Sequence, residues 1–136
     1  MKEVYETIVT NEDGSYAKVF AENGFYVNVK PVKEADSEHT NPEQLIGASW
    51  ATCLNITVQS ILKAKQMNNK SKVRVHVKLF FDPITRYSFT LDAYVSIENL
   101  SLEETKVIAE TADRFCPVSK LLKNSGQVTL NVESYE

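Results

Sequence analysis

Hydrophobic and polar residues alternate along three short runs at the start of the chain. These runs cover residues 3–10, 16–21 and 25–30, and residues 11–14 and 22–24 between them are typical of turns. Alternation with a period of two is typical of β-strands, and short links ending in Asp-Gly or Asn-Gly are typical of hairpins. We therefore predict an N-terminal antiparallel β-meander.

A long apolar helix is predicted after the meander. Asn41 can cap it, Pro42 suits its first position, and Glu43 suits its first turn, where acidic side chains favour the helix dipole. Apolar residues then fall on nearly every side up to Ile61, which predicts a central buried helix ending near Met67. Because the chain has few elements to surround this helix, we expect a second protomer to cover it in an intertwined homodimer.

The rest of the chain predicts a β-hairpin, two helices and a last strand. Residues 73–82 and 87–97 are rich in β-branched and aromatic side chains, and residues 127–134 show the same pattern. Ser101 and Glu104 are spaced as a capping box. The apolar face of this second helix is predicted to comprise Val107, Ile108, Thr111, Ala112 and Phe115. The element order βββ, α, ββ, α, short α, β indicates an α+β fold.

Composition narrows the range of partners. The 136 residues are 43% hydrophobic and 24% charged, with a formal charge of −3, which suits a single domain over residues 1–136. Basic residues form no stripe, and no apolar stretch approaches the roughly 18 residues that a membrane span needs, so we expect a cytoplasmic protein that binds neither nucleic acid nor a membrane. With His39 and His76 as the two histidines and no Cys-x-x-Cys pair, we expect no metal site.

Cys53 and Cys116 are the candidates for chemistry. Cys53 lies within the predicted central helix and should be buried or nearly so. Cys116 precedes Pro117, which cannot continue one helix but suits the start of another, so Cys116 is predicted to join two helices or to cap the second. Free N–H groups at a helix start can lower the pKa of a thiol. Inert packing is the alternative, and the sequence separation of 63 positions (116 minus 53) does not reveal whether the cysteines form a disulfide.

Two motifs resemble the OsmC/Ohr family of osmotically inducible and organic hydroperoxide resistance proteins. The first comprises residues 38–45, EHTNPEQL, and residues 48–53, ASWATC. The second is residues 116–119, CPVS, followed by a predicted short helix, a glycine and the strand VTLNV at residues 128–132. The resemblance extends to the element order over nearly the whole chain, and it implies an intertwined homodimeric α+β fold.

The resemblance also implies thiol-dependent reduction of organic hydroperoxides, with neither a metal nor an organic cofactor. By that similarity Cys53 is the peroxidatic thiol that becomes a sulfenic acid, and Cys116 resolves it as an intrachain disulfide. A dithiol reductant would then reduce the disulfide, a role that lipoylated proteins serve for Ohr members. Glu43 matches the glutamate of the family's Pro-Glu-Gln motif. The candidates for an apolar substrate pocket, which could equally be core residues, are Trp50, Leu54 and Phe115.

The chain departs from the family pattern at the turn after the first strand. Ohr proteins carry an arginine there, paired with the Pro-Glu-Gln glutamate, whereas this chain has Glu12. Lys18 and Arg114 are the candidate substitutes for a cation that activates Cys53, although either could be a solvated surface charge.

The place of Glu43 and the overall function each leave an alternative open. Ten helical residues, about 15 Å of rise, separate Glu43 from Cys53, so Glu43 would have to reach the partner's Cys53 or lie on a helix end that folds back. Otherwise its role is to stabilise the helix start. The alternative function is a non-catalytic dimer that binds an apolar small molecule or acts as a redox sensor.

Overall fold

The chain divides into two units, Met1–Leu45 and Ile46–Glu136, in a computed structural model that describes all of residues 1–136. The units contain two three-stranded sheets and three α-helices, which confirms the predicted α+β fold class and its element order. That the whole chain is a single domain stays a prediction.

The first unit is built on the predicted antiparallel meander. Its strands are β1 (Val9–Asn11), β2 (Lys18–Ala21) and β3 (Tyr26–Asn28), in the order β1-β2-β3. Thr10 pairs with Phe20, and Val19 pairs with Val27. The first strand is shorter than predicted, because residues 3–8 are exposed and have no neighbouring strand to satisfy their backbone N–H and C=O groups.

The helix α1 (Pro42–Ala64) follows. It begins where the sequence predicts, and the Asn41 side chain accepts a hydrogen bond from the Gln44 N–H at 2.8 Å, which satisfies a free donor of the first turn. The helix ends three residues earlier than Met67, just before Gln66 adopts a left-handed φ of 60°. This conformation cannot continue a right-handed helix.

One face of α1 is buried, and the opposite face is exposed. The buried residues are Gly47, Trp50, Leu54, Val58 and Leu62. Ile56 on the other side is 62% exposed, and Ala48, Thr52 and Ser60 are exposed with it. Within the single chain, therefore, α1 is not surrounded on nearly every side, because the second unit supplies one layer to pack against it.

That layer is the second sheet. Its strands are β4 (Ser71–Asp82), β5 (Arg86–Ile97) and β6 (Val128–Val132), in the order β4-β5-β6. The β4–β5 pair is the predicted hairpin, and β6 runs parallel to β5 with Leu91 opposite Val128. The inner face of β5 forms the centre of the core through Leu91, Ala93, Val95 and Ile97. At Gly47 the α1 backbone comes so close to β4 that an added Cβ would lie 3.0 Å from the Val77 Cγ2.

Two helices connect β5 to β6, as a parallel strand pair requires. They are α2 (Leu102–Phe115) and α3 (Pro117–Leu122), and a turn of 3-10 helix, Lys123–Ser125, leads to Gly126 at a φ of 73°. The predicted capping box is present: the Ser101 hydroxyl accepts from the Glu104 N–H, and the Glu104 carboxylate accepts from the Ser101 N–H, both at 3.1 Å.

The buried face of α2 differs from the predicted one. It comprises Thr105, Ile108, Ala109 and Ala112. Val107 and Phe115 are 64% and 60% exposed, so the prediction was wrong for them. The small side chains of Ala109 and Ala112 allow the helix backbone to lie close to the core. In the single chain, close packing of this face is more favourable than burial of the face that carries Val107 and Phe115.

The helix α1 is long enough and apolar enough to cross a membrane, judged by length and composition alone. The expectation that no apolar stretch approaches the length of a membrane span was therefore wrong. The core helix of a soluble protein has the same properties. In this chain five residues of α1 are buried, and four of them, Trp50, Leu54, Val58 and Leu62, belong to the hydrophobic core.

Candidate functional site

Cys116 occupies the junction between α2 and α3. Its backbone is extended, with φ −68° and ψ 119°, and its N–H closes α2 by donating to the Ala112 carbonyl at 2.8 Å. Its sulfur accepts a hydrogen bond from the Ser119 N–H at 3.4 Å, which caps α3. The prediction that Cys116 joins two helices and caps the second is confirmed, and the residue is fully buried.

Cys53 lies in the middle of α1 and is partly buried. Its thiol is within hydrogen-bonding range of the Cys116 thiol and of the Val118 N–H, and both cysteines are free. Folding therefore brings together two sulfurs that are 63 positions apart in the sequence. Thiols that interact in this way can form a disulfide once their side chains rotate to the geometry that the bond requires.

The pKa of Cys53 is raised above its ordinary value. Burial is the largest cause, because a low-dielectric environment disfavours the thiolate. The Val118 N–H lowers the pKa by donating to the sulfur, whereas the hydrogen bond with Cys116 raises it. No basic side chain contributes to the shift. In the single chain, Cys53 is therefore mainly a neutral thiol at pH 7.

Trp50 and Leu54 are both part of the core beside Cys53. Trp50 is 1% exposed, and its indole N–H donates to the Ser119 hydroxyl at 2.8 Å. Leu54 is fully buried. Phe115 is 60% exposed and lies under the guanidinium of Arg114, whose Cζ is 5.9 Å from the ring centroid. The assignment of these side chains to a substrate pocket stays a prediction.

Sequence reasoning missed Ser119. The sequence contained a signal for each partner. A buried indole N–H such as that of Trp50 needs an acceptor, and Ser119 belongs to the same CPVS motif as Cys116. What the sequence did not show is that α1 and α3 are neighbours. This hydrogen bond now joins the two helices that carry the cysteines.

The first unit contains Lys18, Glu12 and Glu43. Lys18 is exposed, with its ammonium 5.7 Å from the Tyr26 ring centroid, and Glu12 is exposed in a turn that the Asn11 side chain closes. Glu43 lies in the first turn of α1, where its Oε2 is buried without a hydrogen-bond partner. A buried carboxylate oxygen costs free energy unless a donor or cation meets it, so Glu43 lacks a partner in the single chain.

The two histidines interact with other side chains and not with the cysteines. His39 Nδ1 contacts the Asp36 carboxylate at 2.7 Å, and Lys30 contacts the same carboxylate at 2.7 Å. These contacts hold the pKa of Asp36 well below its usual range. His76 is exposed on β4, where Arg74 contacts its Nε2 at 2.9 Å.

An open groove of about 830 Å³ follows the exposed face of α1. Its lining residues include Thr52, Asn55, Ile56, Gln59 and Met67. The groove lies on the side of α1 opposite the buried stripe, so it is a feature of the helix face that the chain leaves uncovered.

The fold and the site define an α+β protein with a pair of free thiols in contact at a helix junction. This chain belongs to the OsmC-like protein family, whose model matches residues 35–131. The family resemblance seen in the two sequence motifs is thereby confirmed.

Individual relatives and solved structures agree with this assignment. The chain is 35% identical over 136 residues to organic hydroperoxide resistance protein-like 1 of Staphylococcus epidermidis, with 97% of each sequence covered. It is similar in structure to a protein from Lactobacillus casei, at 30% identity and a TM-score of 0.90, with 98% of this chain and 94% of that chain covered. Similarity to the organic hydroperoxide resistance protein OhrB of Bacillus subtilis, at 23% identity, a TM-score of 0.80 and coverage of 96% and 98%, shows the common fold.

Proposed function

We propose that this protein is a thiol-dependent peroxidase that reduces organic hydroperoxides in the defence against oxidative stress. The observation that carries the proposal is the contact of the Cys53 thiol with the Cys116 thiol and the Val118 N–H. The name of the Staphylococcus epidermidis relative, an organic hydroperoxide resistance protein-like protein, supports the choice of substrate class.

The first chemical step belongs to Cys53. Its thiolate attacks the terminal oxygen of the hydroperoxide, the O–O bond breaks, and the alkoxide leaves as an alcohol after taking up a proton. Cys53 becomes a sulfenic acid and the peroxide is reduced by two electrons. The Val118 N–H stabilises the thiolate before the attack, because it donates a hydrogen bond to the sulfur.

The second step belongs to Cys116. Its sulfur attacks the Cys53 sulfenic acid, a disulfide forms, and the hydroxyl leaves as water. A dithiol then reduces the disulfide by exchange and is itself oxidised to a disulfide. We propose a dithiol of the lipoyl type, carried on a protein, as this reductant. Both electrons come from thiols, so the cycle uses no metal and no organic cofactor.

Activation of Cys53 requires a group that the single chain does not provide at the sulfur. Burial raises its pKa and no basic side chain offsets this, while Glu43 has an unpartnered carboxylate oxygen. We propose that a homodimer completes the site, with Glu43 reaching the partner's Cys53 and with Lys18 or Arg114 as the activating cation. The exposed face of α1 supports the homodimer.

The pocket for the alkyl group is proposed beside Cys53. Trp50 and Leu54 would form its inner wall, and Phe115 would form its outer edge. An apolar pocket favours an organic hydroperoxide over hydrogen peroxide, since it removes apolar surface from water. The reducing cytoplasm, in which such a disulfide is transient, is the proposed location.

The test is consumption of cumene hydroperoxide or tert-butyl hydroperoxide with dihydrolipoamide as reductant. We expect the Cys53→Ser variant to lose at least about a thousandfold in turnover, as is typical when a nucleophile is removed. The Cys116→Ser variant should still form one sulfenic acid, detectable by dimedone and mass spectrometry, but should not turn over. Equal turnover by Cys53→Ser and the wild type would remove the proposal.

A second candidate function is supported by the turn after the first strand, where the sequence differs from the family pattern. Glu12 replaces the arginine that the family resemblance implies, and no cation lowers the pKa of Cys53. A non-catalytic dimer that binds an apolar small molecule, or a redox sensor, would need neither. Absence of turnover in the wild type, together with a reversible Cys53–Cys116 disulfide, would identify the sensor.

A further inference from the structure

The hydrogen bond between Trp50 and Ser119 is the one hydrogen bond between two side chains that joins α1 to α3. The indole N–H and the hydroxyl oxygen are 2.8 Å apart, and the two residues are 1% and 2% exposed. A hydrogen bond shielded from water is stronger than an exposed one, and neither group has water as an alternative partner.

Both ends of this hydrogen bond are adjacent to the reactive sulfurs. Trp50 precedes Cys53 by three residues, so the two side chains lie on neighbouring positions of α1. Ser119 donates its backbone N–H to the Cys116 sulfur at 3.4 Å, and the preceding residue, Val118, donates to Cys53. The first turn of α3 thus interacts with both sulfurs. It is also hydrogen-bonded to α1 at Trp50, one helical turn before Cys53.

We propose that Trp50 and Ser119 are positioning residues for the cysteine pair. Their hydrogen bond holds the α2–α3 junction against α1, and this sets the distance at which Cys116 meets Cys53. The proposal deepens the proposed function, on which it rests for the resolving step. In this role both residues act through the placement of Cys116, and the role is separate from the proposed contact of Trp50 with the alkyl group.

The physical reason is the effective concentration of one thiol at the other. Two groups held close by a rigid scaffold react as if each were present at very high concentration, and the advantage falls when one group gains freedom to move. Cys116 is placed at the start of a helix of six residues, where its own N–H bonds to the Ala112 carbonyl of α2 and the Trp50–Ser119 hydrogen bond joins the helix to α1. Loss of the Trp50 hydrogen bond would therefore loosen the segment that carries the resolving thiol.

The experiment is a redox titration of the full-length protein with glutathione. In the reaction, the Cys53 and Cys116 thiols give up two electrons and two protons to glutathione disulfide, a protein disulfide forms, and two glutathione thiols are released. The oxidised fraction is read by mass spectrometry after alkylation. The variants are Ser119→Ala, which removes the acceptor, Trp50→Phe, which removes the donor, and the double variant.

We expect each single variant to lower the equilibrium constant for disulfide formation about tenfold. The double variant should show the same fall, because the second substitution has no hydrogen bond left to remove. Ile97→Val is the matched control: it loosens the same core on β5 without changing the hydrogen bond, and its equilibrium constant should stay within about twofold of the wild type.

Two outcomes would overturn the proposal. The first is a wild-type equilibrium constant in both single variants, with denaturation midpoints that show a folded protein. The second is a fall in the double variant equal to the product of the two single effects, because the residues would then act independently. If one single variant does not fold, the other still shows whether the equilibrium constant for disulfide formation falls about tenfold or stays unchanged.

A second measurement separates this proposal from the peroxidase itself. At high hydroperoxide, slower resolution should convert more of the Cys53 sulfenic acid into sulfinic acid in Ser119→Ala than in the wild type. If the wild type does not consume hydroperoxide, the proposed function fails, whereas the glutathione titration still tests whether Trp50 and Ser119 position the thiols.

Discussion

At the scale of single residues, Cys53 is subject to opposing effects. Burial and the neighbouring Cys116 thiol raise its pKa, and the Val118 N–H lowers it. The balance favours the neutral thiol, which is stable in the core but does not attack a peroxide. Glu43 presents the complementary case, since its Oε2 is buried with no donor to meet it. Both residues lack a positively charged partner within the single chain.

The raised pKa predicts a pH dependence for Cys53. Below its pKa the thiolate fraction grows about tenfold for each pH unit, so the rate of alkylation by iodoacetamide should keep rising between pH 7 and pH 8.5. Mass spectrometry distinguishes alkylation of Cys53 from that of Cys116. In Cys116→Ala the profile should move to lower pH, because one cause of the raised pKa is removed. A rate that is already constant at pH 7 would contradict this prediction and would indicate a nearby cation.

At the scale of elements, the helix starts are the features that the sequence predicts best. Asn41 caps α1, Ser101 caps α2 and Cys116 caps α3, each at the predicted position. Capping depends on residues within four positions of one another, so the chemistry is visible in a short stretch of sequence. The buried face of α2 was predicted less well, because it depends on what the helix packs against.

The capping box of α2 makes a prediction for stability. Ser101→Ala removes the acceptor for the Glu104 N–H and should lower the free energy of unfolding by about 0.5–2 kcal/mol. Chemical denaturation followed by circular dichroism measures this change. Ser37→Ala, at an exposed position outside the helices and strands, is the control and should change stability by less than about 0.5 kcal/mol. An equal effect of the two substitutions would show that the box does not stabilise α2.

At the scale of the whole molecule, the central helix is covered on one side. Trp50, Leu54, Val58 and Leu62 face the core, whereas Ile56 and the groove beside it face away from it. Apolar residues on both sides of a helix are typical of one that is surrounded by protein. This mismatch between the apolar pattern and the burial supports the proposed homodimer.

The proposed homodimer predicts a strong effect of a charge at Ile56. Ile56→Lys should leave the fold of the chain intact, because the side chain is 62% exposed, but it should convert the dimer into a monomer. Light scattering coupled to size-exclusion chromatography measures the mass. Val107→Lys, at a position that is 64% exposed on α2, is the matched control and should remain dimeric. A wild-type protein that runs as a monomer would contradict the prediction.

The sequence by itself determined the order of the elements, the helix caps, the α+β class and the family resemblance, because all of these depend on residues close together along the chain. It also singled out Cys53 and Cys116 as the residues capable of chemistry. It did not determine that their sulfurs meet, that Ser119 accepts from Trp50, or which side of α2 is buried.

Those features were decided by the tertiary structure, for one physical reason. Each depends on which surfaces of separate helices come into contact, and that is set by packing of the whole core rather than by local hydrogen bonding or periodicity. The pairing of α1 with the α2–α3 junction brings Cys53 to Cys116, and their environment then sets the pKa of Cys53.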